Sequence, residues 1–104
     1  MKCINVFVTV PNKKTADKIA RHLLNNKIIS CVSIIKDIES FYWWKGKVER
    51  SKELLLLMKT VKSKFVCLVK EIKKIHPYEV PEIISIDISA GNKDYIEWIK
   101  KNVL

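Results

Sequence analysis

Glycine is almost missing from this chain: Gly46 and Gly91 are the only two in 104 residues. A phosphate-cradling loop needs several glycines in one short segment, so that class of nucleotide site is absent. Cysteine is scarce and odd in number. Cys3, Cys31 and Cys67 have no CxxC spacing, which argues against a disulfide framework and a sequence-local zinc site, and leaves reduced thiols packed as small hydrophobes. Arginine is rare too: Arg21 and Arg50 stand alone among twenty basic residues. The net charge of +9 would ordinarily suggest a nucleic acid or another anionic surface. Phosphate readers favour the arginine fork, however, and these lysines fall singly or in pairs on helix faces such as Lys13, Lys14 and Lys18, where solvation explains them. No nucleic-acid partner is expected.

Long apolar runs are also lacking. The longest, Leu54 to Met58, falls far short of the ~18 residues that a membrane span requires. The apolar start of the chain is interrupted by Asn5, stops at Pro11 and has no small-residue cleavage site, so it reads as a strand and not as a secretory leader. Linkers, repeats and low-complexity tracts are absent. The expectation is one soluble domain over residues 1–104, placed in the cytoplasm.

What is present is a regular alternation of patterns. Ile4, Val6, Phe7, Val8 and Val10 make a first strand from Cys3 to Val10. Ala16, Ile19, Ala20, Leu23 and Leu24 follow at helical spacing, predicting an amphipathic helix from Lys13 to Asn26 with Asn12 as its cap. Ser30 to Trp44 and Val48 to Thr60 are apolar-rich strands about a turn at Lys45, Gly46 and Lys47. Leu54 to Met58 is apolar at every position, as expected of a strand covered on both faces. A second helix runs from about Lys62 until His76-Pro77 ends it, a fourth strand covers Ile83 to Ile88, and a last helix opens at Gly91-Asn92. The order βαββαβ plus a C-terminal helix defines an α+β, ferredoxin-like fold with an antiparallel sheet.

The second and third strands are too long for such a domain. Each runs 12 to 15 residues, about 40 to 50 Å at ~3.3 Å per residue, whereas a domain of this length has a radius of gyration near ~13 Å. The hairpin must bend or project. An arm ending in Phe41, Tyr42, Trp43 and Trp44 exposes aromatic surface and strand edges, and closed self-association covers both. A base-stacking platform is disfavoured, because alternation separates neighbouring rings and the third strand carries no aromatic residue.

Several blocks in order, Ser40-Phe-Tyr-Trp-Trp-Lys-Gly-Lys47, Glu49 and Glu53, Lys59-Thr60, His76-Pro-Tyr-Glu-Val-Pro-Glu82, Gly91-Asn92 and Tyr95 to Trp98, together with Cys31-Val32, resemble the signature of the CutA divalent-ion (copper) tolerance family across the whole chain. The resemblance implies a homotrimer related in architecture to the PII signalling proteins, strand pairing between subunits, a link to tolerance of copper and other divalent cations, and no catalysis. Phe41 to Trp44 then become trimer-interface residues, and Glu49, Glu53, Lys59 and Tyr78 candidates for a cleft between subunits.

Metal ligation has candidate donors in His76, Glu79 and Cys31, since imidazole suits copper and zinc and thiolate selects Cu(I). Two positions where bacterial relatives with proposed copper ligands carry Cys and His fall here on Val8 and Ile75, which cannot ligate. Against ligation, His76 is expected to cap the second helix, Glu79 and Glu82 to pair with lysines, and Cys31 to lie inert on an interior strand. Three readings therefore stand: a trimeric tolerance protein binding copper or another divalent cation weakly, a PII-like sensor taking a small anion through Lys and Arg, and an enzyme using Glu53, Lys59 and His76. The enzyme is least supported, because no nucleophile has a neighbouring base.

Overall fold

Alternation along the first strand decides which side of the sheet becomes the core. Ile4, Val6, Val8 and Val10 are fully buried in β1 (Cys3–Val10), whereas Asn5, Phe7 and Thr9 face the opposite side and are only partly covered. The computed structural model describes all residues, 1–104.

Asn12 Oδ1 accepts the Thr15 N–H at 2.8 Å and starts α1 (Lys13–Asn25), which buries Ala16, Ile19, Ala20 and Leu23. β2 (Cys31–Trp44) and β3 (Lys47–Val61) follow, joined by a two-residue loop in which Lys45 and Gly46 have φ of 51° and 80°. Both central residues left-handed is the type I′ geometry, whose twist matches that of the flanking strands. A 3-10 turn, Lys62–Lys64, leads into α2 (Phe65–Lys73), which buries Leu68 and Ile72. β4 (Ile83–Asp87) and α3 (Lys93–Lys101) complete the chain. The strand order is β2-β3-β1-β4, with every pair antiparallel. This is the expected ferredoxin-like arrangement.

The main core joins Ile4, Val6, Val8 and Val10 to Leu56 and Met58 of β3 and to the apolar stripes of α1 and α2. Each fully buried side chain of this kind stabilises the fold by about 1.5–3 kcal/mol. The other face of the sheet is different. α3 reaches it only at one end, where Ile99 packs on Cys3 and Val61. Leu55 and Leu57 are therefore half-buried and Ile84 and Ile86 exposed, so the run Leu54 to Met58 is not covered on both faces as its composition suggested. Cys31 also departs from expectation. β2 pairs with β3 alone and is an outer strand, which leaves Cys31 partly exposed.

The hairpin projects. β2 and β3 have 14 and 15 residues, and the molecule is 44 Å long but only 26 by 22 Å across. β1 accompanies β3 only as far as the pair Val10 and Leu54, so Lys47–Glu53 and Ile38–Trp44 continue as an unaccompanied two-stranded arm. A β-bulge marks the departure: Ile35 pairs with Leu55 and Ile38 with Glu53, leaving one extra residue on β2, and Asp37 takes φ of 60°.

Candidate functional site

The base of that arm is where the sequence blocks converge. His76 follows α2, and its Nε2–H donates to the carbonyl of Thr9 at 2.8 Å while Nδ1 accepts the Tyr78 N–H at 3.1 Å. These two bonds fix the tautomer and pin the 76–82 segment against the end of β1. His76 thus does not cap α2 with its ring, as the sequence suggested; its backbone N–H does, bonding Ile72 O at 2.8 Å.

Pro77 then turns the chain so that Tyr78 reaches the first residue of β3 that β1 no longer covers. The Tyr78 phenol donates to Glu53 Oε2 at 2.7 Å, and its ring lies 4.7 Å from that of His76. Glu53 is 6% exposed. Burial, reinforced by the hydrogen bond to Glu53 and by that carboxylate's charge, pushes the Tyr78 pKa well above the ordinary phenol value, so the phenol stays protonated and keeps donating.

A cleft of about 750 Å³ opens between this segment and the arm, lined by Tyr42, Trp44 and Tyr78 and by the carboxylates Glu53, Glu79 and Glu82. No Lys or Arg lines it. The bulge sets its chemistry: the extra residue on β2 puts Tyr42 and Trp44 on the same side of the arm as Glu53. Tyr42 Oη also meets Ser51 Oγ at 3.0 Å. Glu79 and Glu82 are exposed and form no ion pair, contrary to the expectation that lysines would hold them.

Of the residues singled out by sequence, Glu53, Tyr78 and His76 come together within the chain. Glu49 sits farther out, opposite Tyr42. Lys59 lies six residues along β3 from Glu53, about 20 Å at ~3.3 Å per residue. Cys31 pairs with Lys59, at that same far end of β3 from Glu53. Its Sγ instead lies 3.4 Å from Tyr95 Oη of α3, a contact that holds the Tyr95 pKa up to about 12, with burial as the second cause. Tyr95 stacks on Trp98 at 5.6 Å. Sequence marked Tyr95 to Trp98 as one of the family-like blocks but gave no sign of the Cys31 contact, which spans 64 positions.

The fit to a metal ion is poor within the chain. Both ring nitrogens of His76 are engaged, and nowhere do three His, Cys, Asp or Glu side chains gather closely enough to share an ion. His76, Glu79 and Cys31 do not form one coordination sphere here.

The fold and site define a class: a ferredoxin-like α+β domain with an overlong aromatic hairpin, and with a His-Pro-Tyr-Glu segment locked to the hairpin's base. Residues 4–102 match the family model of the CutA1 divalent ion tolerance protein, and the chain belongs to that family. It is 43% identical over 99 residues to the chloroplastic protein CutA 1 of Oryza sativa, spanning 95% of this chain and 56% of that protein. It is 40% identical over 97 residues to the divalent-cation tolerance protein CutA of Thermus thermophilus, spanning 93% and 94%. The crystal structure of CutA1 from Oryza sativa superposes with a TM-score of 0.97 at 41% identity, covering all of this chain and 95% of that one. The chain thus spans just over half of its plant relative and nearly all of its bacterial one. No helix is long and apolar enough to cross a membrane.

Proposed function

We propose that this chain is a non-enzymatic homotrimer contributing to tolerance of copper or another divalent cation, which it binds weakly. The observation that carries the assembly is the arm. Phe41 and Trp43 are 64% and 74% exposed at the end of an unaccompanied two-stranded ribbon, and the open sheet face beside it presents Ile84 and Ile86 to water. Isolated hairpins of this kind are marginal in water, and pairing each arm with a neighbouring sheet buries both surfaces at once. The same open face holds Asn5, whose Oδ1 is buried without a partner in the protomer. On this reading Phe41, Tyr42, Trp43 and Trp44 form the trimer interface, and Glu49, Glu53, Lys59 and Tyr78 line clefts that the neighbouring protomers complete.

The metal part rests on family membership. His76, Glu79 and Cys31 are the proposed donors, drawn from more than one protomer. Weak binding has a physical reason, because His76 must release one of its two hydrogen bonds to ligate. Three free thiols suit a reducing compartment, and the cytoplasm is the proposed location. A small anion held by Lys and Arg finds less support, since the charged groups lining the cleft are all carboxylates.

Light scattering after size exclusion tests assembly; a trimer mass is expected, and a clean monomer at micromolar concentration overturns it. Copper titration of wild type, His76→Ala, Glu79→Gln and Cys31→Ser tests the donors. At least one variant is expected to lose affinity; equal millimolar binding in all four removes the metal site.

A further inference from the structure

The positive charge of this chain is segregated. α1 and residues 62–74 together hold nine basic and two acidic side chains, a net of +7, whereas the remaining 78 residues hold eleven and nine, a net of +2. Solvation accounts for a lysine on a helix face, but it gives no reason to keep carboxylates off one layer of the molecule. The two acids present are already engaged: Asp17 pairs with Lys13, and Glu71 with His22 and Lys74.

The fold gathers what is left over. α1 and α2 bury their apolar stripes in the same core and are tied side by side by His22 and Glu71, so their outer faces form one surface. Lys14, Lys18 and Arg21 lie opposite the stripe Ala16, Ile19, Ala20 and Leu23, and Lys70 and Lys73 point away from Leu68 and Ile72. All five are exposed, and neither they nor the half-buried Lys64 has a carboxylate within ion-pair distance. Like charges three and four positions apart on a helix repel one another, and an external anion relieves that repulsion.

The chemistry of the layer favours a lipid surface over other polyanions. Val66 stands one turn before Lys70 on the outer face of α2 and is 80% exposed. A nucleic-acid backbone gains nothing from an exposed valine, whereas a bilayer interface buries it. Nucleic-acid binders add arginine forks or stacked aromatic rings. This layer has a single arginine, and Phe65, its only Phe, Tyr or Trp, packs against the core. Clusters of about four to eight lysines and arginines on an amphipathic helix are attracted to anionic headgroups. Lysine stems also let ammonium groups reach those headgroups from beside an apolar side chain.

We propose that the α1 and α2 layer docks on, without crossing, a membrane rich in anionic phospholipid, with its six unpaired cations at the phosphates and Val66 in the interface. This layer lies across the sheet from Ile84 and Ile86, the face that assembly covers, so self-association leaves it free. The inference uses neither the arm nor a metal donor.

The test is sedimentation of the full chain with vesicles of phosphatidylcholine alone or with about 30% phosphatidylserine, at about 50 mM and about 500 mM salt. Binding is expected only to the anionic vesicles, and to fall at least about tenfold at the higher salt. The triple variant Lys14→Gln, Lys18→Gln, Arg21→Gln is expected to lose about tenfold or more in affinity. Lys93→Gln, Lys100→Gln, Lys101→Gln on α3 removes the same number of charges and is expected to lose less than about twofold. Val66→Ser is expected to weaken vesicle binding about threefold. Circular dichroism checks that each variant is folded. Equal binding to neutral vesicles, equal losses in the two triple variants, undiminished binding by Val66→Ser, or binding to a DNA duplex but not to vesicles overturns the proposal.

Discussion

The phenol of Tyr78 donates to Glu53 Oε2 at 2.7 Å across 25 positions of sequence, fastening the segment after α2 to the point where β3 leaves β1 behind. Removing that hydroxyl leaves a buried carboxylate without its donor. Tyr78→Phe is expected to destabilise the protein by about 1.5–3 kcal/mol, the range for hydrogen bonds to charged groups. Urea unfolding measures it, and the loss should shrink when Glu53→Gln is already present. A loss below about 0.5 kcal/mol would mean that the bond holds nothing in place.

A second tie joins α1 to α2. His22 Nε2 lies 2.8 Å from Glu71 Oε1, and Lys74 Nζ donates to Glu71 Oε2 at 2.8 Å. The Lys74 hydrogen bond first, and the His22 bond second, hold the Glu71 pKa below the ordinary carboxylate range. A carboxyl group with a depressed folded-state pKa adds stability that is fully present above its unfolded value of ~4.3 and is lost as pH falls through the folded value. Wild type should therefore exceed Glu71→Gln in melting temperature at pH 7, with the gap closing on acidification below about pH 4. Melting curves from pH 7 to 3 decide it; a gap independent of pH sinks the assignment.

Tyr95 reports on the contact with Cys31. Its pKa of about 12 is owed first to the bond with the Cys31 sulfur. Cys31→Ala should bring one of the chain's three tyrosines down toward ~10 in a spectrophotometric titration. An unaltered titration curve would show that burial alone sets the value.

The tip of the hairpin has a cheaper test. Gly46 at φ of 80° tolerates no side chain without strain, so Gly46→Ala should destabilise by about 1–2 kcal/mol. Lys45 at φ of 51° is a lysine where asparagine is favoured, and Lys45→Asn should stabilise by about 0.5 kcal/mol. Thermal unfolding of both variants checks the signs, and two changes of the same sign would reject the turn type.

Much of the fold was legible because local rules and global packing agree along this chain. The alternation in β1, the helical stripe of α1 and the Lys45-Gly46 turn each point to the structure they adopt. The long hairpin was visible as a length that the domain could not contain. The site was legible only in part: the family resemblance grouped Glu53 with Tyr78 as cleft candidates and His76 stood out as a metal donor, but nothing local says that the three meet. Where sequence misled, one-dimensional composition was read as burial. Leu55 and Leu57 look like interior residues, yet their face is covered only where α3 arrives, and Cys31 looks interior on a strand that proves to be the edge.

By itself the sequence determined the elements, their order, the core face of β1 and the projecting arm, because side-chain periodicity and chain length fix these locally. Tertiary structure alone decided which face stays open, and it alone brought three glutamates into one aromatic cleft while sending Lys59 and Cys31 to the far end. Those outcomes depend on strand order and on a single extra residue in β2, and both act between segments that are distant along the chain.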